Sequence, residues 1–492
     1  MSLSVRRLAP ALLFVLTLPT ALQAAIYIPN KTADTNDGVC DSDCSLREAI
    51  AAANQNPGEN VILLHAGTYT LTTSGPANGN LQIQGGTVLI GDGAGRTVID
   101  GGGRGGVFYI PSGVTVHMQD LTLRNGRSSG AGGAIHNQGD LTLLRTILTG
   151  NSSVAGAAGP GQGGAILSDG ASPSLTIADS TISNNTAQGA GGGITAGANV
   201  SLTNVTVTGN RSTANLGGGL YFFTDIRATI NNVTIAGNTA AVKGGGILVE
   251  TNIFIGLTPK VTNSIIAGNS APVAPDCAGG LETSYDLIGN AADCPGPSAA
   301  NHDRVGTAAS PLDPRLGPLA GNGGPTPTLA LLAGSPAINA GNPSTPGSST
   351  GACATTDQRD TRRPGATTCD IGAFEATAAC VAGGNTLCLN NGRFKVTANW
   401  QTPTANGAAT AVDLNGDNGY FWFLDPDSVE VTAKILNNCA ANGHYWLYLG
   451  GMTNARVDLT ITDTQTGQAK TYTNPSGQAF RTLINRVTFA CP

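Results

Sequence analysis

Gly132-Gly133-Ala134-Ile135, Gly163-Gly164-Ala165-Ile166, Gly192-Gly193-Ile194, Gly218-Gly219-Leu220 and Gly245-Gly246-Ile247 are five copies of one short mark. Each is answered downstream by an aliphatic residue three positions before an asparagine: Leu148 and Asn151, Ile182 and Asn185, Val207 and Asn210, Ile235 and Asn238, Ile266 and Asn269. The opening aliphatics (Ile135, Ile166, Ile194, Leu220, Ile247) lie 31, 28, 26 and 27 residues apart. A period in that range, without helix formers between the marks, is the pattern of a solenoid.

The interior of a copy selects the kind of solenoid. Leu175-Thr176-Ile177 and Val200-Ser201-Leu202 alternate apolar with small polar residues, and Gly/Asn/Ser clusters separate such runs. Period-two runs rich in Val, Ile and Thr are strands. One coil of two or three short strands cannot bury its inward side chains alone, whereas stacked coils can, with parallel strands roughly 4.8 Å apart. Asparagine tolerates left-handed turns, and stacked asparagine side chains hydrogen-bond from coil to coil. The reading is an all-β chain built on a right-handed parallel β-helix over 61–270.

Composition agrees. The 492 residues include 69 glycines, with only 11% charged and 5% aromatic residues, as turn-rich β structure requires. A formal net charge of -6 without blocks of like charge argues against a nucleic-acid partner. No internal apolar run reaches the ~18 residues of a membrane span. Arg6 and Arg7 precede an apolar run from Leu8 to Leu22, followed by Ala24 and Ala25. Residues 1–24 therefore read as a secretory signal peptide, and the protein as secreted or held at a bacterial cell surface. Ten cysteines suit an oxidising compartment. Their proximity in sequence suggests four local couples: Cys40 with Cys44, Cys277 with Cys294, Cys353 with Cys369, and Cys380 with Cys388. Cys439 and Cys491 are left to pair in the last domain.

Residues 25–60 form an N-terminal cap. Ser45 and Glu48 make a capping box for a helix whose Leu46, Ala49, Ile50 and Ala53 share one face, suited to covering the open end of the coils. The words Cys44-Ser45-Leu46-Arg47-Glu48-Ala49-Ile50 resemble the CSLREA domain of exported bacterial repeat proteins, and Arg47 and Glu48 read as cap and surface residues. The glycine and asparagine marks resemble the repeats of polymorphic outer-membrane proteins, although the closing strands of a membrane barrel do not follow.

After Asn269 the rhythm fails. Leu316-Gly317-Pro318-Leu319, Gly334-Ser335-Pro336-Ala337-Ile338-Asn339-Ala340-Gly341, Arg363-Pro364-Gly365 and Asp370-Ile371-Gly372-Ala373-Phe374-Glu375 resemble the choice-of-anchor Q domain. The resemblance implies that 271–378 closes the C-terminal end of the β-helix, with Asp360, Arg363 and Asp370 holding its turns. From 379 to 492 the tryptophans appear, and runs such as Phe394-Val396, Tyr445-Leu449 and Val457-Ile461 describe a β-sandwich of about seven or eight strands.

Candidate chemistry is sparse. Glycoside hydrolysis needs two carboxyls about 5 to 10 Å apart. Asp169 and Glu250 share one offset from their opening aliphatics but lie three coils, roughly 14 Å, apart. Asp225, one copy before Glu250, is the closer partner, with Lys243 nearby; these three residues carry the alternative of a polysaccharide lyase or glycosidase of the pectate-lyase-like type. His136 stands alone at the edge of its copy and reads as a packing or surface residue. Asp413, Asn415 and Asp417 have the spacing of a calcium loop, so structural calcium is the one cofactor to consider, although Leu424 stands where the twelfth-position Glu belongs and a polar hairpin explains the same residues. Tyr420, Trp422 and Trp446 are candidates for stacking on sugar rings; one face of Tyr420-Phe421-Trp422-Phe423 must be core, so at most half of these rings are free. The functional expectation is a non-catalytic, adhesin-like scaffold that binds carbohydrate, as a polysaccharide or cell-surface glycan, or another surface ligand.

Overall fold

The computed structural model describes residues 24–491 apart from 74–80, 158, 198, 224–226, 251–256, 333, 365–367, 377–379, 381, 391 and 465–467. Residues 1–23, nearly all of the expected signal peptide 1–24, lie outside the described residues, as does Asp225. The chain is a right-handed parallel β-helix of about 7 turns with an N-terminal capping helix and a C-terminal β-sandwich.

Three rows of apolar side chains form the β-helix core, one residue per coil. On the broad face Ile62, Leu89, Met118, Leu143, Ile177, Leu202, Ile230 and Val261 stack in register. Further along the same face Tyr69, Ile99, Leu123, Leu148, Ile182, Val207, Ile235, Ile266 and Ile288 do so. The opening aliphatics of the repeat continue a row from Leu81 and Phe108 to Cys277 on an eight-stranded face. All three rows are buried. Parallel pairing starts before residue 61, at Ile26–Tyr27, and continues past residue 270 to Arg304–Val305.

The double glycine has a steric reason at each place. Gly163 adopts φ +65°, which a Cβ opposes. A Cβ on Gly164 would stand 2.0 Å from the Gly192 carbonyl oxygen of the next coil, so stacking itself excludes a side chain there. The ladder asparagines do not take the left-handed conformation themselves; it falls on the residue before each, Gly150, Asn184, Gly209, Gly237 and Gly268. The asparagines are freed to stack. In each step the Oδ1 of one accepts both the backbone N–H and the Nδ2–H of its predecessor, from Asn151 through Asn185, Asn210 and Asn238 to Asn269. Asp276 ends the ladder by accepting from Asn269 at 2.9 Å.

Helix α1 (Leu46–Gln55) has the predicted capping box and lays Leu46, Ala49, Ile50 and Ala53 on the first coils. Arg47 pairs with Asp34 at 2.7 Å, and Glu48 accepts from the Ser45 and Asp37 amides, so both serve the cap.

All ten cysteines are bonded in the couples that their spacing suggests. Cys40 joins Cys44 ahead of the capping helix, and Cys277 joins Cys294 where the coils end. Cys353 joins Cys369 within the segment that follows the coils. Cys380 joins Cys388 at the entry to the sandwich, and Cys439 joins Cys491 at its far end. Both Cys353 and Cys369 are buried, whereas Cys380 and Cys388 are half-buried at the edge of the sandwich.

The expected cap, residues 271–378, falls into two parts. In the first, Ala291 and Cys294, tethered to Cys277, pack against the last coil's core. Segment 312–376 runs back as a strap along the flank of the broad face. Thr326 donates to the Asp179 carbonyl, Asn204 to Thr356, Ala354 to Asn232 and Asn342 to Asn263. Leu331, Ala337, Ile371 and Phe374 cover Ile265, Ala267 and Leu287. Inside the strap Arg359 pairs with Asp357 and lies 3.6 Å over the Phe374 ring, while Arg363 pairs with Glu375 at 2.7 Å. Asp370 accepts from the Asn339 amide, and Asp360 is an exposed left-handed turn residue.

The sandwich has ten described strands in two antiparallel five-stranded sheets, rather than seven or eight. Short strands at Asn406–Ala408 and Thr410–Asp413, and the largely exposed Ala469–Asn474, lack the apolar runs that announce the others.

Candidate functional site

The three-residue strands of the eight-stranded face send their first and last residues into the β-helix core and their middle residue to the opposite side, where Leu167, Thr195, Tyr221, Leu248 and Ala278 are themselves buried under neighbouring chain and Tyr109 and His136 are half-buried. The outward row reads Gln82, Tyr109, His136, Leu167, Thr195, Tyr221, Leu248 and Ala278. The residue after each strand adds Gln138, Asp169, Gly197, Phe223 and Glu250 beside it. Between Tyr109 and Leu248 lie five coil spacings, so this strip is roughly 24 Å long.

At one end Tyr109 and His136 place their rings 5.3 Å apart. His136 Nε2 meets Asp169 Oδ1 at 2.8 Å, Tyr109 donates to Gln138 Oε1 at 2.9 Å, and Gln138 Nε2 donates to the same Asp169 oxygen at 3.3 Å. Burial works to raise the Asp169 carboxyl, but the bonds from His136 and Gln138 outweigh it and hold it below the usual value. Three coils further on, Tyr221 and Phe223 stack at 6.2 Å and Leu248 packs beside them. Phe223 lies over Gly197, where a Cβ would come within 2.3 Å of its ring. Burial, and then the neighbouring Glu250 carboxylate that accepts its hydrogen bond, push the Tyr221 hydroxyl well above its ordinary pKa.

The candidates named from sequence fare unevenly. Glu250 is at the end of this strip, exposed and engaged with Tyr221. Lys243 is half-buried, gives its carbonyl to Gly217, and lies before Ile247–Val249 where Glu250 lies after it. Tyr420 and Trp422 alternate with buried Phe421 and so face outward, half-buried, on one sheet of the sandwich. Trp446 faces out on the same sheet, its Nε1 donating to Asn442 and Arg486 lying 4.9 Å over its ring. Asp413 and Asn415 accept the amides of residues 415 to 418, which makes this loop, Asp417 included, a self-satisfied hairpin turn. Among the described residues no three His, Cys, Asp or Glu side chains gather as a metal site.

Sequence reasoning set His136 aside as solitary and missed its partner. The signal was present: His136 follows its opening aliphatic by one residue and Asp169 follows the next by three. Comparison with protein families, curated proteins and solved structures finds no match to this chain.

Proposed function

We propose that this protein is an exported, non-catalytic β-helix scaffold that binds carbohydrate along the outer strip of its eight-stranded face. The observation that carries the reading is the accessible part of the strip: the half-buried Tyr109 and His136 rings beside the planar acceptors Asp169 and Gln138, and further along the half-buried Phe223, stacked on buried Tyr221, beside exposed Glu250. Sugars offer apolar C–H faces to rings and hydroxyls to fixed acceptors, and a rigid strip meets both at low entropic cost. Asp169 is held below the usual carboxylate range, whereas a glycosidase acid needs a raised pKa and a partner within about 10 Å. That favours binding over hydrolysis. Export is supported by the five disulfides, and no described helix is long and apolar enough to cross a membrane. Within this reading residues 44–50 and the strap serve as the CSLREA and choice-of-anchor Q elements.

A panel of polysaccharides, scored for binding and for released sugar on the same samples with and without calcium, tests the proposal. Retention of a glycan without product, weakened about tenfold by Tyr109→Ala with His136→Ala, is expected. Release of unsaturated or reducing-end sugars would overturn it in favour of the enzyme.

A further inference from the structure

From Asp120 onward, one turn row of the broad face carries a residue in the left-handed conformation in each coil: Asp120, Arg145, Asp179, Asn204, Asn232, Asn263, Tyr285 and, by the register of Leu287 with Arg304, His302. Asparagine is at home there, because its short polar side chain bonds locally; a bulky aromatic at φ +58° is not. Asn204, Asn232 and Asn263 all spend their carboxamides on the strap. At Tyr285 the strap draws away from the row and leaves a groove of about 410 Å³, in the lower range of small-ligand sites. The Tyr285 ring is only half-buried, so core packing does not offset its strained backbone.

The ring stacks instead on His302 at 4.7 Å and 14°, and His302 is itself an exposed left-handed residue. Arg304 stands in the same groove, exposed, with no ion pair among the described residues. The neighbouring Asp303 is buried and occupied by Thr283, the Asp286 amide and the Ser298 amide, so the charge the groove shows to solvent is the guanidinium. Asn339, on the strap side, is a third positive-φ residue and is exposed, with its backbone fixed by Asp370 and Thr368.

We propose that this groove is a second glycan subsite that takes an acidic sugar, its ring against the Tyr285–His302 stack, its anionic group on Arg304 and its hydroxyls on Asn339. The ligand class rests on the carbohydrate reading above; the site stands on its own residues. A stack supplies the apolar platform, and an exposed guanidinium supplies bidentate recognition of a carboxylate or sulfate.

The test uses the full chain carrying Tyr109→Ala, His136→Ala and Phe223→Ala, so that both ring pairs of the eight-stranded strip are lost and the strip is silent. Calorimetric titration with a hexuronate oligomer, a sulfated hexose oligomer and the uncharged hexose oligomer separates carboxylate from sulfate and charge from ring. At least one acidic oligomer is expected to bind about tenfold more tightly than the neutral one, and Arg304→Gln to erase that ratio. Tyr285→Asn is expected to abolish binding while the unfolding temperature stays level or rises, because asparagine is the residue this turn favours; a merely structural tyrosine would give the reverse. An unchanged affinity in Tyr285→Asn, an intact ratio in Arg304→Gln, or no binding by the strip-silenced chain overturns the groove and leaves the strip reading standing. Binding that ignores the strip variants but vanishes with Tyr285→Asn overturns the strip and leaves the groove.

Discussion

The asparagine ladder and the ion cluster of the strap both bury polar side chains, the first with neutral amides and the second with charges. In the ladder every amide is donor and acceptor at once, so a single residue type repeated at the coil spacing satisfies itself without desolvating a charge. The strap holds Asp357, Arg359, Arg363, Asp370 and Glu375 in a small volume of low solvent exposure. There Arg359 pairs with Asp357 and Arg363 with Glu375, while Asp370 is held by the Asn339 and Ala376 amides, so each charge depends on particular partners in a setting where burial costs it hydration. A repeating interaction is robust because it is redundant. A unique one is specific and vulnerable.

That contrast predicts where the molecule breaks. Arg363→Met leaves Glu375 buried without its cation and is expected to cost about 3–5 kcal/mol, with proteolysis concentrated in the strap. Adding Glu375→Gln removes the orphaned charge and recovers much of the loss; a double variant as unstable as the single one would mean that the ion pair is not the source. Denaturant unfolding with limited proteolysis reads both.

Within the ladder the expected losses are smaller and graded by position. Asn210→Ala leaves the Asn185 backbone N–H without its acceptor and takes the side-chain donors from the Ile182 carbonyl and Asn238 Oδ1 in a dry interior, and should cost about 3 kcal/mol. Asn269→Ala, at the end that solvent reaches, should cost about 1 kcal/mol by the same measure. Equal losses at the two sites would deny that solvent access grades the ladder.

The smallest effect separates the two regions by pH. Burial, reinforced by Asp370 and only partly opposed by Arg363, pushes Glu375 up to about 7 from the ordinary 4.5, and Asp179 beneath the strap rises from 3.8 to about 6. In that window the native state binds more protons than the unfolded chain. The stability these groups contribute is therefore full below their ordinary values and is lost as pH rises toward 7. Thermal unfolding between about pH 5 and 8 should show this fall, and Glu375→Gln should flatten it, while Asn210→Ala should leave its slope unchanged. Burial also raises Asp276, so one titrating group belongs to the ladder's end. A slope unmoved by Glu375→Gln would place the pH dependence outside the strap.

The ladder was legible in sequence because its partners recur at a fixed spacing, and the same holds for the core rows, the double glycines and the capping box. The strap's contacts were not. Gln358 bonds Thr181 across 177 positions and Arg363 bonds Asn204 across 159, with no repeat to announce either pairing. The disulfide between Cys353 and Cys369 was legible within the strap, because only 16 positions separate its ends. The candidate site fell between these cases. Aligning the copies by their opening aliphatics puts His136 and Asp169 one coil apart, yet only side-chain direction decides that both point outward and meet at 2.8 Å. Tyr285 shows the same limit: its place in the left-handed row follows from register with Asn263, which the shortened last coils obscure.

By itself, then, the sequence determined the parallel β-helix, its glycine and asparagine devices, its capped beginning and its cysteine couples. Each of these arises between residues that are near in sequence or separated by one period, where steric exclusion and hydrogen-bond geometry act locally. Tertiary structure alone decided that the segment after the repeat lies along the flank, that His136 has a carboxylate partner, and that Tyr285 faces an open groove. Those outcomes depend on chain segments that meet only after the coils have stacked, and no local preference encodes where a distant segment will come to rest.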